Sequence, residues 1–216
     1  MSLQTGIRVL LADDHAMVRE ALARILEESG EITVEVQAGN GAAALAALEQ
    51  TDVDVAVVDY SMPGLDAGQL IEKLLTRKAT LRILVLTVHE NIHYAVKVLE
   101  CGAHGYMIKS AAVDELVQAI RAVHHGEMFI SPKVASEVIQ HLRQPRRNRV
   151  GLESLSQREF DVLRVLASGS SLQDCAKQLK ISTSTASTYR ARLLTKLNLK
   201  NTAQLIRFAM ENDVVG

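Results

Sequence analysis

Short apolar runs alternating with helical periods organise the first part of the chain. Ile7-Arg-Val-Leu-Leu-Ala12 reads as a buried strand, after which Val18, Leu22, Ile25 and Leu26 recur at helical spacing. Val34 to Ala38 is a second short strand, and Asn40 stands where it would cap an Ala-rich helix over Gly41–Glu49. Val55 to Val58 are β-branched apart from Ala56 and too few for a helix of ordinary length. They read as a buried parallel strand ending at Asp59, with Met62-Pro63-Gly64 forcing a turn. A helix from about Asp66 to Arg77 presents Leu70, Ile71, Leu74 and Leu75. Strand Arg82-Ile-Leu-Val-Leu-Thr87, helix Asn91–Cys101 stopped by Gly102, strand His104–Ile108 and helix Val113–His124 complete five β-α units. Strands alternating with helices at this spacing predict an α/β fold, a doubly wound five-stranded parallel sheet with right-handed crossovers.

After Gly126 the pattern becomes all-helical. Ser131-Pro132 is a helix start, and Val134, Val138, Ile139 and Leu142 give that helix one apolar side. Arg143 to Ser154 has little periodicity and four arginines, which reads as a linker. Ser156-Gln-Arg-Glu159 is a capping box, opening a helix that turns Phe160, Leu163, Leu166 and Ala167 inward and stops at Gly169. Leu172, Cys175, Ala176 and Leu179 form one narrow stripe, Ile181-Ser182 a tight corner, and Ser182 the cap of a helix to about Leu197. Asn201 caps the last helix, to about Asn212. Two short helices joined by a tight turn, the second of them basic, form a helix-turn-helix pattern. At about 100° per residue, Ala186, Tyr189, Leu193 and Leu197 share one face of the second helix. Ser184, Ser187, Thr188, Ala191, Arg192 and Thr195 lie opposite, on the side that would enter a major groove, with Lys196 at its rim. Arg190 falls beside the apolar stripe, where its stem is expected to lie over the core. The chain therefore divides at residues 1–125, 126–153 and 154–216.

Charge sharpens this division. Across 216 residues the net charge is −1, yet residues 1–125 hold 10 Lys/Arg against 17 Asp/Glu, and residues 126–216 hold 14 against 8. An acidic part joined to a basic part points to a cation-binding or regulatory module coupled to one with a polyanionic partner. No apolar run approaches the roughly 20 residues needed to span a bilayer. Met1 to Ala12 meets Asp13 and Asp14 before a signal-peptide core could form, so the cytoplasm is the expected location. Cys101 and Cys175 lack metal-type spacing and are expected to be free, buried thiols.

In a sheet of this kind the C-terminal ends of neighbouring strands face one crevice. Asp13 and Asp14 follow the first strand, Asp59 ends the third, Thr87 the fourth, and Lys109 the fifth. Three carboxylates suit a hard cation such as Mg²⁺. A carboxylate can also attack phosphorus when metal and ammonium neutralise the transferring oxygens, and Asp59 is the best-placed nucleophile. These residues, with Met62-Pro63-Gly64 and Gly105-Tyr-Met-Ile-Lys109, resemble the receiver domain of a two-component response regulator over residues 7–125. The resemblance implies that Asp13, Asp14 and Asp59 hold Mg²⁺, that Asp59 accepts phosphoryl from a histidine kinase, and that Lys109 pairs with the phosphate. It also implies that Thr87 and Tyr106 relay the change and that Ser61 and His89 tune dephosphorylation. Ser110 replaces the family's proline, and Val88 stands where a smaller residue is usual, which implies tighter access to Asp59. His89 and His93, four apart, would clamp zinc on a helix only with a third ligand that the sequence does not supply.

The second half is similar to the LuxR-type DNA-binding domain of NarL/FixJ-like regulators. The likeness rests on Leu155-Ser-Gln-Arg-Glu159, Leu166-Ala-Ser-Gly169, Ala176 with Leu179, Ile181-Ser182, Thr185 and Lys196-Leu197. Ala186, Ser187 and Tyr189 depart from the family's usual residues. Ser187, Thr188 and Ala191 offer hydroxyl or methyl contacts to bases, leaving phosphates to Arg192, Lys196 and Lys200. Leu205 and Phe208 fit a DNA-bound dimer contact and core packing equally well. The expected function is a phosphorylation-switched transcription factor, not an enzyme, homodimeric when phosphorylated or DNA-bound. A receiver that is never phosphorylated is disfavoured by the complete set of site residues, and two further rivals stand beside the expected function. One is a receiver acting through protein contacts with a degenerate DNA-binding part. The other is an aspartyl-nucleophile phosphohydrolase, which would want a second acid where Ser61 stands.

Overall fold

Burial on both faces explains why the central strands show no alternation. The computed structural model describes residues 6–63, 66–109, 113–143, 151–212 and 214. Within it β3 (Val55–Asp59) and β5 (Gly105–Ile108) are buried at every position, and β1 (Ile7–Ala12) and β4 (Arg82–Thr87) are buried but for their first residues. These strands sit inside a parallel sheet of order β2-β1-β3-β4-β5-β6, with β2 (Ile32–Ala38) and β6 (Phe129–Ile130) at its edges, so side chains of either parity meet helices. At the edge, β2 (Ile32–Ala38) alternates instead, with Thr33, Glu35 and Gln37 exposed. The register aligns Ala12 with Val58, Asp59 with Leu86, and Thr87 with Ile108, so four strands end at nearly one level.

The helices flanking the sheet are α1 (Ala16–Glu28), α2 (Gly41–Ala47), α3 (Ala67–Arg77), α4 (Ile92–Glu100) and α5 (Val113–His124), and α6 (Pro132–Arg143) follows them in the chain. Asn40, Asp66 and Asn91 cap α2, α3 and α4 by accepting from backbone N–H groups of the first turn. Gly102 ends α4 at φ 101°, a left-handed conformation, and a Cβ there would lie 2.7 Å from Leu75 Cδ1. In α1 the inward face centres on Ala23 and Leu26, while Val18 is 39% exposed, a rotation from the expected face.

The sheet has six strands, not the five expected. β6 (Phe129–Ile130) adds in parallel beside β5, pairing Gly105 with Phe129 and Tyr106 with Ile130. Two residues are too short to carry a period, so only the partner strand reveals this one. Val134 and Val138 bury the apolar side of α6.

The chain forms two compact units, Met1–Ile139 and Gln140–Gly216. In the second, α7 (Gln157–Ala167) is buried along most of its length, and α9 (Thr183–Lys196) and α10 (Thr202–Glu211) pack on it. α8 (Leu172–Gln178) packs against α9. The capping box forms as expected, Ser156 accepting from Glu159 N and Glu159 from Ser156 N. Between α8 and α9, Lys180 adopts φ 53° and Ile181 N–H reaches back to Ala176 O at 2.9 Å, which closes the turn tightly. Gly64, Ser110 and residues 144–150 of the arginine-rich segment lie outside the described residues.

Candidate functional site

The aligned strand ends bring the acids and the ammonium into contact. Asp13, 1% exposed, follows β1, its backbone held by Ala38 O and by Arg19, whose guanidinium donates to Asp13 O at 2.6 Å. Asp59, 3% exposed, ends β3. Lys109 extends from the end of β5 to reach Asp13 Oδ2 at 2.7 Å and Asp59 Oδ2 at 3.1 Å. Burial pulls the Lys109 ammonium down in pKa, but hydrogen bonding and attraction from Asp13 and Asp59 outweigh it and hold it above its ordinary value. Asp14 lies at the open side of the pocket, its carboxylate 2.9 Å from His15 Nδ1. Ser61 N–H donates to Asp59 Oδ1 at 3.3 Å.

One ligand atom from each of Asp13, Asp14, His15 and Asp59 falls in a group spanning no more than 4.8 Å. Carboxylate oxygens from three strand-end residues form a donor set for a hard divalent cation. His15 was not foreseen as part of this group, although its place in the triplet Asp13-Asp14-His15 was the available signal.

Thr87, fully buried at the end of β4, accepts from His89 N at 3.0 Å. Tyr106 is also fully buried, its hydroxyl donating to His89 O at 2.8 Å and bonded to the Thr87 side chain. Burial raises its pKa far above the usual phenol range. Thr87, His89 and Tyr106 thus form one linked group. His89 precedes α4, and its ring stacks on Tyr94 at 4.4 Å and meets Tyr60 edge-on at 5.9 Å. The helical pairing of His89 with His93 is thereby overturned, because His89 is not on the helix. Val88 is 65% exposed.

On α9 the expected division of faces is present. Ala186 and Leu193 are fully buried, whereas Ser184, Thr188, Ala191, Arg192 and Thr195 are exposed and Ser187 is half-buried. Arg192 carries its guanidinium 5.9 Å from the Tyr189 ring centre. Lys200 is exposed, and Arg190 is half-buried with Nε enclosed. Lys196 donates to Glu159 Oε2 at 2.7 Å and to Ser154 O at 3.0 Å. Leu205 is fully buried in its own unit and unavailable for a dimer contact, whereas Phe208 is half-buried. Cys175 is buried and its thiol pKa raised by desolvation, but Cys101 is half-exposed, correcting that expectation. Among the described residues no helix is long and apolar enough to cross a membrane.

Both halves of the chain match known families. Residues 9–121 match the response regulator receiver domain, and residues 153–209 match the bacterial regulatory proteins of the luxR family. The chain is 34% identical over 206 residues to the response regulator UvrY of Escherichia coli (strain K12), covering 95% of this chain and 94% of that protein. It is 32% identical over 209 residues to the response regulator GacA of Pseudomonas aeruginosa, covering 97% and 98%. Its structure is similar to RcsB from Salmonella enterica serovar Typhimurium bound to promoter rprA in the presence of the phosphomimetic BeF3−, with TM-score 0.73, 26% identity, and coverage of 94% and 98%. With both halves matched over nearly their whole length, the chain belongs to the NarL/FixJ family of two-component response regulators, phosphorylation-dependent regulators of transcription that join a receiver domain to a LuxR-type helix-turn-helix DNA-binding domain.

Proposed function

We propose that Asp59 is the phosphoacceptor, loaded by a sensor histidine kinase, and that its state controls how α9 engages DNA. The observation that carries this is the Lys109 ammonium in contact with Asp13 and Asp59 at once, beside Asp14, at the C-terminal edge of the sheet. In the transfer an Asp59 carboxylate oxygen attacks phosphorus as the P–N bond to the kinase imidazole breaks, and the imidazole takes a proton. Asp13, Asp14 and Asp59 would hold Mg²⁺, which supplies charge neutralisation for the transferring oxygens. Lys109 neutralises the remaining charge and orients the phosphoryl group. Ser61, whose N–H donates to Asp59 Oδ1, and His89, joined to the Thr87 hydroxyl, set how readily water attacks the acceptor.

A phosphoryl group adds a charge of about −1.5 to −2. That charge draws in Lys109 and the Thr87 hydroxyl, and Thr87 leaves its bonds with His89 and Tyr106, altering the surface they support. The division proposed is a phosphoacceptor part at residues 1–125, a connector with its helix at 126–153, and a DNA-binding part at 154–216. Ser184, Ser187, Thr188 and Ala191 read base edges, Arg192 and Lys200 contact phosphates, and Lys196 stands at their rim with its ammonium already held by Glu159. The working form on DNA is a homodimer in the cytoplasm, and the protein is a regulator with no substrate turnover of its own.

Acyl phosphate with Mg²⁺ is expected to add one phosphoryl group by intact mass, none to Asp59→Ala, and to extend a DNase footprint on the parent alone. Equal labelling of the Asp59→Ala protein would remove Asp59 from the role.

A further inference from the structure

The angular reading of α9 gives Lys196 to a DNA phosphate, yet its ammonium is engaged elsewhere. It lies 2.7 Å from the carboxylate of Glu159, whose side chain is 4% exposed, and donates at 3.0 Å to Ser154 O. The same Glu159 oxygen accepts from Ser156 N at 2.7 Å, so one carboxylate closes the start of α7 and holds the end of α9. Burial raises the Glu159 pKa, but Lys196 and the Ser156 donors outweigh it and hold the carboxyl below its ordinary value. Lys196 is itself 40% exposed, but moving its ammonium to a solvent-washed phosphate would leave the enclosed Glu159 carboxylate without its counter-charge, which disfavours the exchange. Arg192 and Lys200, in contrast, are exposed, and no acidic side chain among the described residues is paired with either.

We infer that Lys196 is a positioning residue: through Glu159 it fixes the C-terminal end of the recognition helix to α7, and it does not contact DNA phosphate. This rests on the reading of α9 as the DNA-facing helix. A tether at that end, with the Ser182 cap and buried Ala186 at the other end and α8 packed against the helix, sets the angle at which Ser184, Ser187, Thr188 and Ala191 are presented. Glu159 thereby acquires a part in DNA recognition although it is buried and negatively charged.

Affinity for a footprinted DNA fragment, measured against salt with full-length phosphorylated protein, separates the roles. Each phosphate contact contributes about 0.9 to the slope of log affinity on log salt. Lys196→Gln is expected to weaken binding about tenfold with the parent's slope retained, whereas Arg192→Gln lowers the slope by about one per protomer. Glu159→Gln is expected to weaken binding as well, and the double variant Glu159→Gln/Lys196→Gln no more than either alone. Lys196→Arg, which keeps the charge, restores most of the affinity, and circular dichroism at the assay temperature confirms that each variant is folded. A slope lowered by about one in Lys196→Gln, with Glu159→Gln neutral or tighter, makes Lys196 a phosphate contact and overturns the inference. A folded Lys196→Gln with parental affinity reduces the pair to a structural one and overturns it too. A parent that protects no DNA fragment overturns the DNA-binding reading itself, and the inference with it.

Discussion

At the acidic pocket, single side chains carry opposing demands. Lys109 compensates two buried carboxylates, and a neutral replacement leaves them facing one another. Lys109→Met is expected to destabilise the first unit by about 2–3 kcal/mol, below the full cost of a broken buried pair because Lys109 remains partly exposed. Mg²⁺ should then raise the melting temperature of this variant more than that of the parent, since the cation takes over the missing charge. Equal Mg²⁺ shifts in the two proteins would count against a shared site for metal and ammonium. Tyr106 acts on the alkaline side. Its pKa is raised from 10.0, so above that value the unfolded chain loses the proton while the folded one keeps it, and stability falls as pH rises. Lys109, raised from 10.5, acts in the same direction at higher pH. Tyr106→Phe is expected to cost about 1–2 kcal/mol at neutral pH, by leaving His89 O without its donor, yet to lose less than the parent above about pH 10. Chemical denaturation at pH 7 and pH 11 reads both signs.

Among the elements, the central strands and the capped helices were legible because their signals are local. Val55 to Val58 are a run without alternation, and Asn40, Asp66, Asn91, Ser156 and Asn201 are side chains that accept at a helix start. The angular reading of α9 separated Ala186 and Leu193 from Thr188 and Arg192 for the same reason. What escaped was non-local. β6 needs β5 beside it, and the Lys97–Asp66 pair, each side chain 7% exposed, joins α4 to the cap of α3 across the fold. His89 changed meaning once its ring was found on Tyr94. Gly102 lies between these cases, since its role as a stop is visible in the sequence but the closeness of Leu75 is not. Gly102→Ala is expected to cost about 1–3 kcal/mol from the left-handed backbone and that contact. It should lower the denaturant midpoint with an unchanged slope, and a variant as stable as the parent would exclude strain at this turn.

For the whole molecule, the acidic and basic halves are two sites whose affinities are linked. If phosphoryl loading strengthens DNA binding by a factor corresponding to about 1–3 kcal/mol, DNA must strengthen binding of a phosphoryl analogue by the same factor. Titrating BeF3− with and without the footprinted fragment is expected to give equal factors, about 5- to 150-fold. Unequal factors at equilibrium would mean that a third process, such as oligomerisation, had been left out of the scheme. Because binding to DNA releases counterions, both titrations belong at one salt concentration.

The sequence by itself determined the alternation of strands and helices, the caps, the split of charge between the halves, and the set of strand-end residues from which the pocket is drawn. These are properties of short segments, fixed by side-chain period and by hydrogen bonds within a turn. Only the tertiary structure decided which partners those residues take. It gave Lys109 to Asp13 and Asp59 together, Lys196 to Glu159, the Tyr106 hydroxyl to His89 O, and Leu205 to the core of its own unit. A charged or amphipathic side chain has several partners of nearly equal worth, and the choice among them depends on distances of a few ångströms that arise only once distant elements pack.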